Sequence, residues 1–314
     1  MKVTALSGGV GGAKLVSGLA KVLNHGELTV IGNTGDDIEL FGLHISPDLD
    51  IVMYTLAGLV DTEKGWGIRD DTFTCLDSLN RSYSQDRWFN VGDRDLATHI
   101  LRTQFLRSGL TLSEVTRKLC MLLGIEGINL LPMTDDKVET LVKIQDGSVI
   151  HFEEYFVKRG SVDQVHDVVY RGSGKARPAE GVVKALTSSD LVVICPSNPL
   201  ASIGPILSVR AIRRALQDVK CPRVAVSPIV GGRPIKGPAD KFMKGMGFEV
   251  SPAGIAEYYH NLVTHLVLDV QDSAIEKQVQ SMGIRATVTN TIMNTMRDRV
   301  DLASKVISSS AGRS

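Results

Sequence analysis

KVTALSGGVGGAKLVSGLAKVL, residues 2–23, decides the fold. The short apolar run KVTAL (2–6) reads as a buried strand, and four glycines follow it directly. Leu15, Val16, Leu19, Ala20, Val22 and Leu23 then recur at three- and four-residue spacing, which predicts a helix with one apolar face. Asn24 and Gly26 end that helix, and LTVIG (28–32) is a second buried strand. Strand, glycine loop, helix and strand in this order place two parallel strands beside a covering helix.

The same grammar returns late in the chain. A helix is expected over 178–188 with Pro178 in its first turn, then a strand over 190–196, a helix over 209–219 and a strand over 223–230. Alternation of this kind predicts an α/β fold, a Rossmann-like, doubly wound and mostly parallel sheet. The middle differs. Thr111 and Glu114 form a capping box for a helix over 112–123, and 138–156 alternates with period two around Asp146-Gly147, as an antiparallel hairpin does. Residues from about 100 to 175 are therefore expected as an inserted α+β subdomain on a single catalytic domain spanning 1–314. The Ser-rich end, 308–314, is expected to fray.

The chain of 314 residues carries 35 basic and 35 acidic residues, so a broad electrostatic grip on nucleic acid is not expected. No apolar run approaches the length of a membrane span. The first residues lack the marks of a signal peptide, and the four cysteines have no CxxC spacing, so a reduced, cytoplasmic protein is expected.

The glycine loop fits neither standard nucleotide motif. A Walker A loop would need a glycine where Ala13 stands and a hydroxyl where Leu15 stands. A dinucleotide fingerprint would need a glycine at Lys14 and an acid where the second strand ends in Gly32-Asn33. What remains is an anion site: glycines that let backbone N–H groups approach, a helix N-terminus, and Lys14 within reach of a phosphate oxygen. Loops with paired acids follow, at Asp36-Asp37 and Asp48/Asp50, where magnesium could join phosphate oxygens. The segment after the strand at 190–196 offers Ser197, Asn198 and Ser202 between stiffening prolines.

GGVGGAKL (8–15), NTGDD (33–37), SPDLD (46–50) with MYTLAG (53–58), WGIRDDTF (66–73), WFNVGDRDLATH (88–99), LLPMTDD (130–136) and CPSNPLASIGPIL (195–207) occur in this order. As an ordered set they closely resemble the 2-phospho-L-lactate transferase family of coenzyme F-420 biosynthesis, over almost the whole chain. Asn90 and Val91 depart from the family's form of the fifth motif. The resemblance implies a magnesium-dependent transferase. It moves a 2-phospholactyl or phosphoenolpyruvyl group from a guanylyl-diphosphate donor to the ribityl hydroxyl of the deazaflavin Fo and releases GMP. It further implies that Gly8, Gly9, Gly11, Gly12 and Lys14 hold the diphosphate, and that Ser197, Asn198, Pro199 and Ser202 meet the guanosine part. Asp36 and Asp50 would ligate Mg2+, with Asp50 alternatively taking the hydroxyl proton. Asp50, Arg87, Trp88 and Asp93 would lie against the deazaflavin. Small-molecule substrates and a homodimer are expected. The alternative is a nucleotide-sugar-binding regulatory protein of a related Rossmann-like family, without transfer activity.

Overall fold

The computed structural model describes residues 1–310. Seven parallel strands form the central sheet: β1 (Val3–Ser7), β2 (Leu28–Gly32), β3 (Ile128–Pro132), β4 (Leu191–Ile194), β5 (Arg223–Val226), β6 (His265–Asp269) and β7 (Arg285–Thr289). Their spatial order is β7-β6-β5-β4-β1-β2-β3. Strand β1 lies between β2 and β4, with Val3 in register with Leu28 on one side and Leu191 on the other. Chain order therefore runs outward in both directions from the β1/β4 boundary. That boundary is a topological switch point, and the loops leaving the carboxyl ends of β1 and β4 diverge there to open a crevice.

The sheet is covered on both faces. Ala5, Val30 and Val193 join one apolar cluster, while their neighbours Leu6, Ile31, Val192 and Ile194 join the other. Alternate side chains point to opposite faces, so strands buried on both sides read as unbroken apolar runs. One face carries α1 (Gly9–Val22), α2 (Pro47–Leu56), α3 (Asp93–Arg107), α4 (Leu112–Leu122) and α5 (Met296–Ser310), with α1 packed closely on α2 and α5.

Several expected boundaries shift. Helix α4 has the expected capping box, with Thr111 Oγ1 accepting from Glu114 N and the Glu114 side chain accepting from Thr111 N. The hairpin is also present, as Glu139–Ile144 and Val149–His151, and Val165–Arg171 adds a third antiparallel strand. However, the stretch expected as an insertion contains β3, an edge strand of the main sheet paired with β2. The three-stranded sheet adds Val142, Ile144, Tyr155 and Val168 to the same cluster as Leu6 and Ile194, so it thickens one face of the core. The helix expected from Pro178 begins only at Val182, because Gly181 ahead of it turns with φ +89°. The expected fray is contradicted at Ser308–Ser310, which form the last turn of α5 with hydroxyls bonded back to Lys305, Val306 and Ile307. Residues 311–314 lie outside the described part. Among the described residues no helix is long and apolar enough to cross a membrane.

Candidate active site

A cavity of about 660 Å³ opens at the switch point. Gly8, Gly9, Gly11 and Lys14 line it from the β1 loop and first turn of α1, and Ser197, Asn198 and Ser202 from the β4 loop. Asp36, Asp48 and Asp50 enter from the loop after β2 and the start of α2. Trp66, Phe89, Phe152 and Phe156 add flat apolar walls.

The two switch-point loops are stitched together. The Ser197 hydroxyl donates to Gly8 O at 2.7 Å and faces Gly8 N at 3.2 Å. A β-carbon on Gly11 would fall 2.3 Å from the Pro196 carbonyl oxygen, and one on Gly8 would fall 2.4 Å from Asp48 Oδ2. These glycines are therefore demanded by close approach of the chain to itself. Gly12 does not line the cavity but packs behind it against Ser7 and Ser197. Gly9, at φ +63°, points its N–H at Asp48 Oδ1, 2.6 Å away. The anion at the amino end of α1 is thus a carboxylate of the chain itself. Pro199 is buried outside the lining, where it starts a short helical turn; Asn198 Oδ1 caps that turn by accepting from Leu200 N and Ala201 N. The Asn198 amide nitrogen is buried beside the cavity without a hydrogen-bond partner.

Acids gather on one wall. The Asn33 amide donates to Asp36 Oδ2 and Asp48 Oδ2, both at 2.9 Å, and so holds two carboxylates together. Glu153, from the turn after the hairpin, is the third, and all three are buried. Burial pushes Asp36 well above the usual carboxylate range, with Asp48 and Glu153 adding to the shift. Asp48 rises to about 6 through burial, against the opposing bonds from Asn33 and Gly9. Glu153 rises to about 8 through burial and the charges of Asp48 and Asp37. Asp36 Oδ1 is buried with no donor in hydrogen-bonding geometry, the Thr140 hydroxyl easing its charge only in part.

Asp50 behaves differently. Both its oxygens are held by the buried Arg102 of α3, Nη1 donating to Oδ2 at 3.0 Å and Nη2 to Oδ1. His99 lies 3.7 Å from Asp50 and 3.2 Å from Asp95, and the Tyr54 hydroxyl donates to Asp95 at 2.6 Å. This buried chain of charges and hydrogen bonds fixes α2 against α3. Asp50, expected as a metal ligand, is thus paired with a guanidinium, and the carboxyl that lies beside Asp36 is that of Asp48. Among the described residues no group of three or more His, Cys, Asp or Glu could hold a metal ion.

Three expected acceptor contacts lie outside the cavity. Arg87 pairs with Asp77 and sits 5.7 Å from the Phe73 ring centroid. Trp88 meets the edge of Phe89, which is the ring that lines the cavity. Asp93 caps the helix Thr74–Tyr83, accepting from Thr74 N and Cys75 N, and hydrogen bonds led by that of the Thr72 hydroxyl hold it down at about 2.

A family model described as 2-phospho-L-lactate transferase CofD matches residues 3–307. A phosphoenolpyruvate transferase of Streptomyces griseus is 44% identical over 289 residues, covering 91% of each chain. A 2-phospho-L-lactate transferase of Methanocaldococcus jannaschii is 44% identical over 309 residues, covering 97% of each. A crystal structure of a UPF0052 family member from Bacillus halodurans superposes with a TM-score of 0.68 over 98% of each chain at 13% identity, a likeness of fold.

Proposed function

Because the chain belongs to the 2-phospho-L-lactate transferase CofD family, we propose that it moves a phosphorylated three-carbon acid from a guanylyl-diphosphate donor to the ribityl hydroxyl of the deazaflavin Fo. The observation that carries this reading is the division of the cavity at the switch point. One wall holds buried carboxyls, Lys14 and Lys236 also line the cavity, and flat rings complete it. A diphosphate needs the cations, the carboxyls can hold a metal ion beside it, and a planar heterocycle needs the rings.

The acceptor hydroxyl oxygen forms a bond to the donor phosphorus that bears the three-carbon acid. The bond from that phosphorus to the bridging oxygen breaks, and GMP leaves with the electron pair. The hydroxyl proton passes to Asp50, which lines the cavity apart from the two acids that share the Asn33 amide. Asp50, its charge matched by Arg102, orients the hydroxyl. Trp66, Phe89 and Phe156 flank the deazaflavin, and Asn198 Nδ2 and Ser202 meet the guanosine part. Lys14 takes the diphosphate, while the glycines bring the loops close enough for it to do so.

The residues fit magnesium. Asp36 Oδ1 lacks a donor, Asp36 and Asp48 share one amide, and two carboxylates with phosphate oxygens and water are a usual magnesium set. When bound, the ion would neutralise charge developing on the leaving phosphate. The transferase works in the cytoplasm as a homodimer.

Relatives named for either acid are equally similar, at 44% identity, so both donors belong in the test. Purified protein is mixed with Fo, magnesium and either the lactyl or the enolpyruvyl donor, and products are separated and weighed. A deazaflavin heavier by one phosphorylated acid, with matching GMP and none under EDTA, is expected. Guanine-nucleotide binding without transfer from either donor overturns the reading in favour of a nucleotide-binding regulator.

A further inference from the structure

The loop between β5 and β6 carries a cation that the sequence motifs did not single out. Lys236 lines the same cavity as Lys14. Its Nζ donates to Lys64 O at 2.9 Å, and the Lys14 Nζ donates to Met293 O at 2.9 Å. Among the described residues neither ammonium has a carboxylate partner within ion-pair distance, although the cavity is lined by five acids. An ammonium has three donors, so each keeps two after its carbonyl bond. The two charges also feel each other. Burial lowers Lys14, and the charges of Arg299 and then Lys236 lower it further; partial burial lowers Lys236.

Resting on the transferase reading above, we propose that Lys236 and Lys14 form a two-cation clamp whose ligand is the donor's diphosphate, bridged between the two ammoniums. A polyanion removes the repulsion between them and satisfies their free donors, whereas a single negative charge satisfies one. Lys236 reaches this place by fastening the loop around Lys64. A β-carbon on Gly65 would stand 3.0 Å from the Lys236 Nζ, and Gly65 itself turns with φ +74°. The clamp therefore also sets the position of Trp66, the next residue and a wall of the cavity.

The test is titration calorimetry of the native chain, Lys236→Gln and Lys236→Arg with GDP, GMP and inorganic pyrophosphate, all with magnesium. Loss of a charged hydrogen-bond partner costs about tenfold or more in affinity. Lys236→Gln is expected to lose about that factor for GDP and pyrophosphate and much less for GMP, and Lys236→Arg to recover most of it. Equal losses for GMP and GDP, or GDP binding unchanged in Lys236→Gln, overturn the clamp. Gly65→Ala, which crowds the ammonium without removing it, should weaken GDP in the same sense, and GDP binding unchanged there tells against the geometry. These readouts need no turnover. A chain that binds pyrophosphate through Lys236 but transfers nothing upholds the clamp while the transferase reading fails, and a chain that transfers with Lys236→Gln unimpaired in GDP binding does the reverse.

Discussion

Glu153→Gln should change how the stability of the protein depends on pH, by an amount that follows from where the carboxyl sits. Its ordinary value is 4.5, and in the fold burial with the charges of Asp48 and Asp37 lifts it to about 8. The folded chain therefore holds this proton more tightly than the unfolded chain. Stability from this group is complete below the ordinary value, falls as pH rises through the interval, and levels off above the folded value. One pH unit inside the interval is worth about 1.4 kcal/mol, so the loss reaches about 3 kcal/mol at pH 7 as an upper figure. Asp36 and Asp48 are raised as well and contribute slopes of the same sign. Glutamine keeps the shape of the neutral acid and has no proton to lose. Urea unfolding at pH 5, 7 and 8.5 in EDTA separates the shares. The native chain and Glu153→Gln should match closely at pH 5, and the variant should be the more stable by a few kcal/mol at pH 8.5. Parallel curves across the range would refute the buried, proton-holding carboxyl.

Three further outcomes follow from the site. Arg102→Met should cost about 3–5 kcal/mol, because it strands Asp50 as a buried charge, whereas adding Asp50→Asn should recover most of the loss; urea midpoints that add up independently would contradict the pair. Gly11→Ala places a β-carbon 2.3 Å from the Pro196 carbonyl, so it should cost about 1–3 kcal/mol as an overpacked contact and weaken GDP binding by moving the β4 loop; intact affinity by calorimetry would mean that the loop gives way freely. Asp36→Asn should raise the magnesium concentration needed for half-maximal transfer by about tenfold or more, and an unchanged magnesium titration would remove Asp36 from the metal's neighbourhood.

The fold was legible where one period dominated a segment. Residues 2–32 spell strand, helix and strand because each strand is buried on both faces and each helical apolar residue falls on one stripe. Strand β7 was not legible: Arg-Ala-Thr-Val-Thr sits at the sheet edge, is only half-buried, and has no apolar run. Strand β3 was hidden in the expected insertion, since Ile-Asn-Leu-Leu-Pro pairs on one side only and its polar Asn129 breaks the run. Helix α3 has its polar and charged residues spread around the cylinder, and its buried positions include His99 and Arg102. A stripe that buries a histidine and an arginine looks like solvent face until Asp50 and Asp95 are seen across from it.

The candidate site was legible in its loops and not in its charges, and the reason bears on what the glycines do. Asp36, Asp48, Lys14, Ser197 and Asn198 all follow strands, where the carboxyl edge of the sheet gathers its ligands. Glu153 lay inside what reads as an alternating strand; the chain stops pairing at His151 and coils, which turns that carboxyl into the cavity. A glutamate pair inside the aromatic run Phe152–Phe156 was the available signal, because an acid buried among apolar neighbours is costly and needs a use. The four glycines read as a phosphate cradle. Gly8 and Gly11 instead leave room for Asp48 and Pro196, and the N–H of Gly9 is already given to Asp48. A phosphate at the amino end of α1 would have to displace that carboxylate, and Asp48 would then be free to turn to a metal. The loop's first task is to hold the acid wall against the β4 loop, and the positive charge for a diphosphate comes from side chains, Lys14 and the cation across the loop from Lys64.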